Sequence, residues 1–282
     1  MTDREHQQNQ AASFRALHSG PEILLLPNVW DVGSARLIED SAYKAIATTS
    51  AGIAFSLGYP DGQKISREEM FASIARIVRA VKVPLSADVE AGYGDKPEDA
   101  ALTARAVVEA GAVGMNLEDA TGDPERPLVD LPLQLEKIQA VRATARELNV
   151  PLVLNARTDV YLFEVGGADK RYDEALRRLK AFRDAGADCV FLPGVRDPET
   201  IRRMVADLGF PLNILAGPGS PSVPELRKLG VARVSLGSWP MRAAMGVLRG
   251  IADELKSTGT YAAMEGAPSH AEMNRLFRCY SE

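Results

Sequence analysis

Short apolar segments alternate with longer amphipathic segments from Ile23 to about Leu255. Most of the short segments are continuous apolar runs, the pattern expected of strands that are buried on both faces of a parallel sheet. The pattern predicts eight strands, over residues 24–27, 45–50, 84–90, 114–119, 152–158, 189–194, 212–217 and 233–237.

Each predicted strand is followed by a stretch with helical periodicity. These stretches predict helices over residues 32–40, 67–81, 97–110, 133–148, 172–185, 198–208, 223–229 and 241–255. Capping signals support several of the ends, because Ser66 precedes one helix and Asp197 precedes Pro198 at the start of another. Glycines 111, 186 and 230 follow three helices at the position where a left-handed residue ends a helix.

Eight strand–helix units in series predict an α/β fold, a (β/α)8 TIM barrel. A doubly wound open sheet is the alternative, but no G-x-G-x-x-G motif follows the first strand and no linker divides the chain. We therefore expect one barrel domain over residues 1–282, with a C-terminal helical tail from about residue 256 that contains a last helical piece over 271–279.

Composition and charge exclude several classes of protein. The chain has 282 residues, of which 46% are hydrophobic and 25% are charged, as in ordinary globular proteins. Its net charge is −5, with 33 basic and 38 acidic residues, so nucleic acid and anionic membranes are not expected partners. Cys189 and Cys279 form neither a disulfide framework nor a CxxC motif. With no signal peptide and no run of 18 apolar residues, we expect a cytoplasmic protein.

Acidic residues occur at the carboxyl ends of two neighbouring predicted strands, where barrels of this kind place their catalytic side chains. Asp88 and Glu90 point to the same face because they lie two residues apart, and Glu118 ends the next strand. Three carboxylates so close together predict a divalent cation, with Mg²⁺ expected and Mn²⁺ as an alternative. The competing interpretation is that some of them face outward or pair with arginines.

Other strand ends offer candidate substrate contacts. Arg157 is suited to binding a substrate carboxylate, although a buried salt bridge to Glu118 would also explain it. Tyr93, in the loop at 91–94, offers a hydroxyl, and the segment 49–52 offers hydroxyls and backbone N–H groups, but both stretches also suit plain turns.

The distribution of histidine and cysteine excludes further chemistries. His6, His18 and His270 lie outside all eight predicted strand ends, which argues against a Ser-His-Asp or Cys-His hydrolase and against a histidine-ligated zinc site. Glycine-rich segments at 216–220 and 236–238 leave open a rival class, a barrel that binds phosphate with its last two loops.

Five segments together resemble the isocitrate lyase/phosphoenolpyruvate mutase superfamily. They read NVWD at 28–31, TTSAG at 48–52, DVEAGYG at 88–94, LED at 117–119 and NARTD at 155–159, and the resemblance extends over about residues 14–255. It implies a barrel whose last helix is exchanged between subunits of a dimer or tetramer, and a Mg²⁺-bound 2-oxo or 2-hydroxy carboxylate.

The resemblance also implies roles for individual residues. Asp88, Glu90 and Glu118 would surround the metal directly or through water, and Arg157 would hold a substrate carboxylate. The remaining substrate contacts implied by motif position are Thr49, Ser50, Ala51, Asp88 and Asn155, with Asp61 as a nearby polar participant.

Departures from the superfamily pattern narrow the activity. The K-K-C-G-H loop of isocitrate and 2-methylisocitrate lyases is replaced by ATGDPERPL at 120–128, which also lacks the lysine and asparagine of the longer loop in phosphoenolpyruvate mutases. The chain therefore resembles an oxaloacetate decarboxylase-like or carboxyphosphonoenolpyruvate phosphonomutase-like branch. We expect a Mg²⁺-dependent lyase that cleaves a carbon–carbon bond beside a 2-oxo or 2-hydroxy acid through an enolate, by decarboxylation of oxaloacetate or by retro-aldol cleavage. Asp61 and Tyr93 are the candidates for proton transfer. A phosphonopyruvate hydrolase or mutase and a non-catalytic 2-oxo acid binder are the alternatives.

Overall fold

Nine short parallel strands form one sheet that closes on itself in a computed structural model, which describes residues 3–278. Strand β1 pairs with β9 and β2 pairs with β3, and the two segments are separated only by Pro27. The first predicted strand therefore becomes two short strands of one barrel wall, and the doubly wound alternative is wrong. The strands are β1 Leu24–Leu26, β2 Asn28–Val29, β3 Ile46–Thr48, β4 Leu85–Ala87, β5 Gly114–Glu118, β6 Val153–Arg157, β7 Cys189–Leu192, β8 Leu212–Leu215 and β9 Arg233–Ser235.

The helices follow the strands as the sequence predicts. Within residues 3–278 they are α1 Asp3–Leu17, α2 Val32–Asp40, α3 Ser50–Ser56, α4 Arg67–Ala80, α5 Pro97–Glu109, α6 Leu131–Glu147, α7 Ala168–Asp184, α8 Pro198–Leu208, α9 Val223–Lys228, α10 Trp239–Ser257, a 3₁₀ turn Ala262–Met264 and α11 His270–Phe277. The predicted caps are present, because Ser66 accepts from the N–H of Glu69 and Asp197 accepts from that of Thr200.

Two helices were not predicted. Helix α1 precedes the first strand, and α3 begins at Ser50, which the prediction placed at the end of a strand. The chain is buried on both sides of this boundary, from Ala45 to Ala54, and periodicity over so short a buried stretch does not distinguish strand from helix. Thr49 marks the true boundary, because it is extended and its hydroxyl caps the helix at the N–H of Gly52.

Helix α1 closes the amino-terminal end of the barrel. Gln7 donates to the carbonyls of Val108 and Ala112, just before β5, and Gln10 donates to that of Lys82, just before β4. Phe14 is fully buried. A side chain at Gly114 would meet the Phe14 ring at 2.7 Å, so only glycine fits at that point of β5. The opposite end, at the carboxyl ends of the strands, is the open end of the barrel, here called the mouth.

The two C-terminal helices differ in how they contact the barrel: α10 is mostly exposed, whereas α11 packs against α2. Only Met241 of α10 is buried, whereas Val247 and Leu248 are 61% and 57% exposed. Helix α11 packs against α2, where Arg36 donates to the carbonyl of Leu276. The end of the predicted last helical piece, at Cys279, lies outside the described residues. Exchange of the last helix between subunits stays a prediction, as does the single-domain division.

None of the helices between residues 3 and 278 combines the length and the apolar character needed to cross a membrane.

Candidate active site

Asp88 lies just past β4, where donors from two neighbouring strand ends surround its carboxylate. Its Oδ2 accepts from the backbone N–H and the hydroxyl of Ser50, both at 2.9 Å, and its Oδ1 accepts from the amide of Asn116 at 3.2 Å. The N–H of Asp88 itself donates to the hydroxyl of Thr48 at 2.8 Å. The carboxylate is 7% exposed, so these bonds replace most of its hydration.

Glu90 sits two residues further along, in a loop with unusual backbone geometry. Glu90 and Tyr93 have φ values of +52° and +57°, a region in which a residue other than glycine is strained. Gln63, from the loop after α3, stabilises this stretch by donating its N–H to Glu90 Oε2 and accepting from the N–H of Tyr93, both at 2.6 Å. Arg67 donates to the Tyr93 carbonyl at 2.6 Å. The strain is thus held by contacts from a neighbouring loop and helix.

Lys137 holds the same loop from the opposite side. Its side chain is 1% exposed, and Nζ donates to the carbonyls of Ala91 at 2.6 Å and Gly94 at 3.1 Å. Burial lowers the pKa of Lys137, which nearby Asp95 and Asp99 counteract. Both hydrogen bonds of this buried lysine go to carbonyls of the loop, so Lys137 holds the loop in one conformation.

Glu118 and Arg157 face each other on adjacent strands and form an ion pair with 2.8 Å between Oε2 and Nη1. Arg157 Nε donates to Asp159 Oδ1 at 2.6 Å, and the guanidinium lies 5.6 Å from the centre of the Phe191 ring. Among residues 3–278, Nη2 of Arg157 has no hydrogen-bond partner. The ion pair considered as an alternative for Arg157 is therefore present, and Nη2 still remains for a ligand.

Behind this pair, Asp119 and Arg178 form a second buried ion pair at 3.1 Å. Asp119 also accepts from the Thr158 hydroxyl at 2.6 Å and from the Asp159 N–H at 2.9 Å. Burial raises the pKa of Asp119 to about 6, and Asp159 adds to that rise.

The crowded carboxylates perturb one another. Burial, with Asp88 and Asp61 nearby, raises the pKa of Glu90 to about 8. Burial raises the pKa of Glu118 well above its ordinary value, although Arg157 opposes the rise. Burial and the same negative field raise the pKa of Tyr93, so that its hydroxyl stays protonated at neutral pH. Burial would lower the pKa of Arg157, but Asp159 and Glu118 outweigh it and raise the value.

These residues fit a hydrated Mg²⁺ rather than a fully protein-ligated one. Among residues 3–278, no three histidine, cysteine or acidic side chains come together as a ready-made ligand set. Glu90 Oε1, however, is buried and has no hydrogen-bond partner in the described part of the chain. Mg²⁺ takes oxygen ligands and usually keeps several waters. Burial is the main cause of the raised pKa values of Glu90 and Glu118, and the neighbouring carboxylates add to the rise; a divalent cation would neutralise that added negative charge.

The structure brings together most, but not all, of the predicted site residues. Asp61 is on the loop after α3, and burial together with Asp88 raises the pKa of its carboxyl, so it lies within the field of the cluster. Ser50 contacts Asp88, whereas Thr49 caps α3 and Ala51 is buried in the second position of that helix. Asn155 is fully buried deeper in the barrel, where it donates to Asn116 at 2.8 Å.

Several residues in and around the site were missed. They are Gln63, Asn116, Asp119, Lys137, Asp159 and Arg178. Asp119 belongs to the motif LED, but no role was predicted for it. Position gave a signal for Asn116 and Asp159, since both belong to strand ends already singled out. Nothing in the local pattern marks Lys137 or Arg178, which lie on helices far along the chain.

Most N–H groups of the glycine-rich segments in the last two loops donate to other groups of the protein. Asn28 Oδ1 accepts from Leu236 and Gly237 at 2.7 and 2.9 Å. The N–H of Gly217 donates to the Ser220 hydroxyl at 3.1 Å, and the N–H of Ser220 donates back to the Gly217 carbonyl. Few donors are left in these segments for a phosphate.

The barrel core beneath the site contains the remaining unusual charge. Arg233 is fully buried, lies 3.4 Å from His18 Nε2 and 3.5 Å from Asn116 Oδ1, and burial lowers its pKa to about 10. Burial, reinforced by Arg233, lowers the pKa of His18 to about 3. The histidine therefore stays neutral, at the end of the barrel away from the mouth, as the sequence predicts for a residue outside the site.

Comparison with known proteins supports the motif resemblance. A family model described as phosphoenolpyruvate phosphomutase matches residues 14–256. The chain is 32% identical over 232 residues to the oxaloacetate decarboxylase of Ectopseudomonas mendocina, covering 78% of this chain and 75% of that protein. It is 30% identical over 233 residues to the 2,3-dimethylmalate lyase of Eubacterium barkeri, covering 79% and 78%.

A solved structure confirms the fold. A Burkholderia cenocepacia J2315 protein superposes with a TM-score of 0.92 at 41% identity, covering 97% of each chain. The chain thus belongs to the phosphoenolpyruvate phosphomutase family and is an enzyme of the isocitrate lyase/phosphoenolpyruvate mutase superfamily.

Proposed function

We propose that the chain is a Mg²⁺-dependent lyase that cleaves the carbon–carbon bond next to the 2-oxo group of a small dicarboxylate, with oxaloacetate as the first candidate. The observation that supports this most is Arg157, which faces Glu118 across two strand ends while its Nη2 has no hydrogen-bond partner among residues 3–278. A cation beside a carboxylate cluster suits a substrate that brings both a carboxylate and oxygens for a metal.

The relatives favour the same class of reaction. An oxaloacetate decarboxylase and a 2,3-dimethylmalate lyase both act on short dicarboxylates, and both are about a third identical to this chain. They correspond to the two reactions that the loop at 120–128 leaves open, decarboxylation and retro-aldol cleavage.

In decarboxylation of oxaloacetate, the bond between C3 and C4 breaks and its electron pair passes into the enolate of pyruvate as CO₂ leaves. Bound Mg²⁺ would polarise the 2-oxo oxygen and stabilise the enolate. Asp88 and Glu90, with Glu118 behind them, would hold the ion, and Arg157 would bind a substrate carboxylate and fix its orientation.

The enolate must then receive a proton at C3. Tyr93 is suited to donate it, because its hydroxyl is buried, has no hydrogen-bond partner among residues 3–278, and remains protonated at neutral pH. Asp61 is the second candidate, since its raised pKa and its exposed loop position let it exchange protons with solvent. A retro-aldol reaction would need a base for the substrate hydroxyl, and Asp61 is the candidate for that role as well.

We also propose that the protein works as a homo-oligomer. Met245, Val247 and Leu248 expose large apolar side chains along α10, which contacts its own barrel little. A face of this kind needs a partner of the same character, and a second copy of the chain provides one. Light scattering coupled to size-exclusion chromatography would show a dimer or tetramer.

The experiment that tests the activity is pyruvate release from oxaloacetate with Mg²⁺, run beside a chelator control and the Arg157→Ala protein. Free Mg²⁺ also promotes this decarboxylation, so the rate must depend on enzyme concentration. We expect turnover in the wild type that both the chelator and the substitution abolish.

Failure of this experiment has a defined meaning. If oxaloacetate and 2,3-dimethylmalate both remain uncleaved, carbon–carbon lysis of these substrates is excluded. Consumption of phosphonopyruvate in a parallel assay would then assign the protein to phosphorus–carbon chemistry.

A further inference from the structure

The buried ion pair between Asp119 and Arg178 has no part in the chemistry described above. Asp119 is fully buried just past β5, and Arg178, on α7, is 7% exposed and lies 59 residues further along the chain. An ion pair of this kind recovers the cost of its desolvation poorly unless further hydrogen bonds complete it. Its other contacts therefore decide what it is for.

One set of contacts leads to Arg157. Asp119 accepts from the Thr158 hydroxyl and from the N–H of Asp159, which fixes the backbone immediately after Arg157. The Asp159 carboxylate in turn accepts from Arg157 Nε at 2.6 Å. A continuous series of hydrogen bonds, each shorter than 3.2 Å, thus runs from Arg178 through Asp119 and Asp159 to the guanidinium of Arg157.

A second set of contacts leads to the loop at 120–128. Arg178 Nη1 donates to the Val129 carbonyl at 3.0 Å, and the N–H of Val129 donates to the Asp119 carbonyl at 2.8 Å. An antiparallel bridge between Ala120 and Leu128 continues this closure. The Arg178 side chain therefore fixes the base of the loop and the support of Arg157 at the same time.

We propose that Asp119 and Arg178 are positioning residues, which set the orientation of the Arg157 guanidinium toward the substrate carboxylate and couple it to the placement of the loop at 120–128. Neither side chain touches substrate. The proposal rests on the proposed function, because it takes Arg157 to bind a carboxylate of the substrate.

The test compares Arg178→Met with Arg177→Met. Arg177 is the preceding residue on α7, is 56% exposed and also pairs with Glu174, so the control removes a similar ion pair without reaching Asp119. For Arg178→Met we expect the KM for oxaloacetate and the dissociation constant of oxalate to rise roughly 10- to 100-fold. This is the effect typical of losing a residue that orients a group in direct contact with the bound species. The control should stay within about twofold of the wild type, as for other surface changes.

A double-mutant cycle separates positioning from general structural support. In an Arg157→Lys background, which keeps measurable function but lacks the hydrogen bond to Asp159, Arg178→Met should cause little further loss of oxalate affinity, because its effect passes through that contact. Arg178→Lys keeps the charge but not the paired contacts, so it should recover part of the affinity. If Arg178→Met fails to fold, Arg178→Lys and Asp119→Asn serve in the same comparison, with intermediate losses expected.

Two outcomes overturn the proposal. One is an active wild type whose Arg178 and Asp119 variants match the Arg177 control in KM and oxalate affinity. The other is a loss of oxalate affinity that persists in full in the Arg157→Lys background. A wild type that neither releases pyruvate nor binds oxalate would instead show that the proposed function is wrong, and the positioning role would fall with it.

Discussion

Glu118 and Arg157 occupy the same level of two adjacent strands, β5 and β6, and their side chains meet at 2.8 Å. The contact combines two demands on one site. Arg157 offsets one of several crowded carboxylates, and it still presents an N–H group to a ligand. A substrate that brings its own carboxylate is the natural partner for that group, because the described part of the chain, residues 3–278, supplies no other.

Replacement of Arg157 by lysine should be far from conservative. Lysine keeps the charge beside Glu118 but loses the Nε hydrogen bond to Asp159, and its single ammonium group cannot contact both carboxylates and the substrate. We expect kcat/KM for oxaloacetate to fall about 100-fold, the equivalent of about 3 kcal/mol for two charge-assisted hydrogen bonds. Arg126→Lys, on the exposed loop, is the control. Equal activity in the two variants would show that Arg157 does not bind the substrate.

Glu90 should lower the stability of the protein when no metal is bound. Its pKa is raised to about 8 by burial and by Asp88 and Asp61, so its ionised form is costly without a cation. Glu90→Gln, measured at pH 8 with a chelator present, should raise the melting temperature by a few degrees, the shift that about 1 kcal/mol gives in a domain of this size.

The same substitution should weaken Mg²⁺ binding, because it removes a carboxylate oxygen from the proposed site. Glu98→Gln, in the exposed first turn of α5, is the matched control and should change neither property. Unchanged Mg²⁺ affinity in Glu90→Gln, measured by calorimetry, would contradict the metal assignment.

His18 should make the protein sensitive to acid. Its pKa is about 3 in the folded protein and about 6.5 when unfolded, so between these values only the unfolded chain binds the proton. Stability is therefore complete above pH 6.5 and is lost as the pH falls toward 3. This single group should cost about 2 kcal/mol between pH 7 and pH 5.

Urea unfolding at pH 7 and pH 5 measures that loss. His18→Gln should reduce the difference between the two pH values, whereas His6→Gln, at an exposed position on α1, the helix that His18 directly follows, should leave it as in the wild type. An unchanged difference in His18→Gln would show that the histidine is not held neutral in the core.

Lys137→Met should loosen the loop that contains Glu90 and Tyr93. The substitution keeps the length of the side chain but leaves the buried carbonyls of Ala91 and Gly94 without their donor, at a cost of about 1–3 kcal/mol in the free energy of unfolding. Because the strained backbone loses a support, kcat should fall as well. Lys228→Met, exposed on α9, should change neither quantity, and a Lys137→Met protein with wild-type stability would refute this role.

The sequence predicts the barrel well because its evidence is local. Continuous apolar runs mark most of the strands. Periodicity gives the bounds of helices α2 and α8, and the cap residue Asp197 also marks the start of α8. Asp88, Glu90, Glu118 and Arg157 follow from one rule about strand ends. Helix α3 was missed because the chain stays buried from β3 into the helix, and the cap residue Thr49 is the signal that marks the change.

Contacts between distant parts of the chain could not be predicted in this way. Arg178 reaches Asp119 across 59 residues and Lys137 reaches Ala91 across 46, and no periodicity records such pairings. The predicted strand ends also ran too long, because Asp88 and Glu90 leave the sheet for a left-handed loop that other residues hold in place. Sequence reasoning thus located the groups at the mouth but not the side chains that orient them.

The most direct test of the site is a calorimetric titration of oxalate, a planar dianion that resembles the enolate of pyruvate, into protein with Mg²⁺ and into chelator-treated protein. Oxalate should bind only with Mg²⁺ present, and Asp88→Asn and Arg157→Ala should each abolish binding while Asp123→Asn on the neighbouring exposed loop preserves it. Oxalate binding of equal strength with the chelator, or in either site variant, would contradict the claim that the barrel mouth binds Mg²⁺ and a substrate carboxylate together.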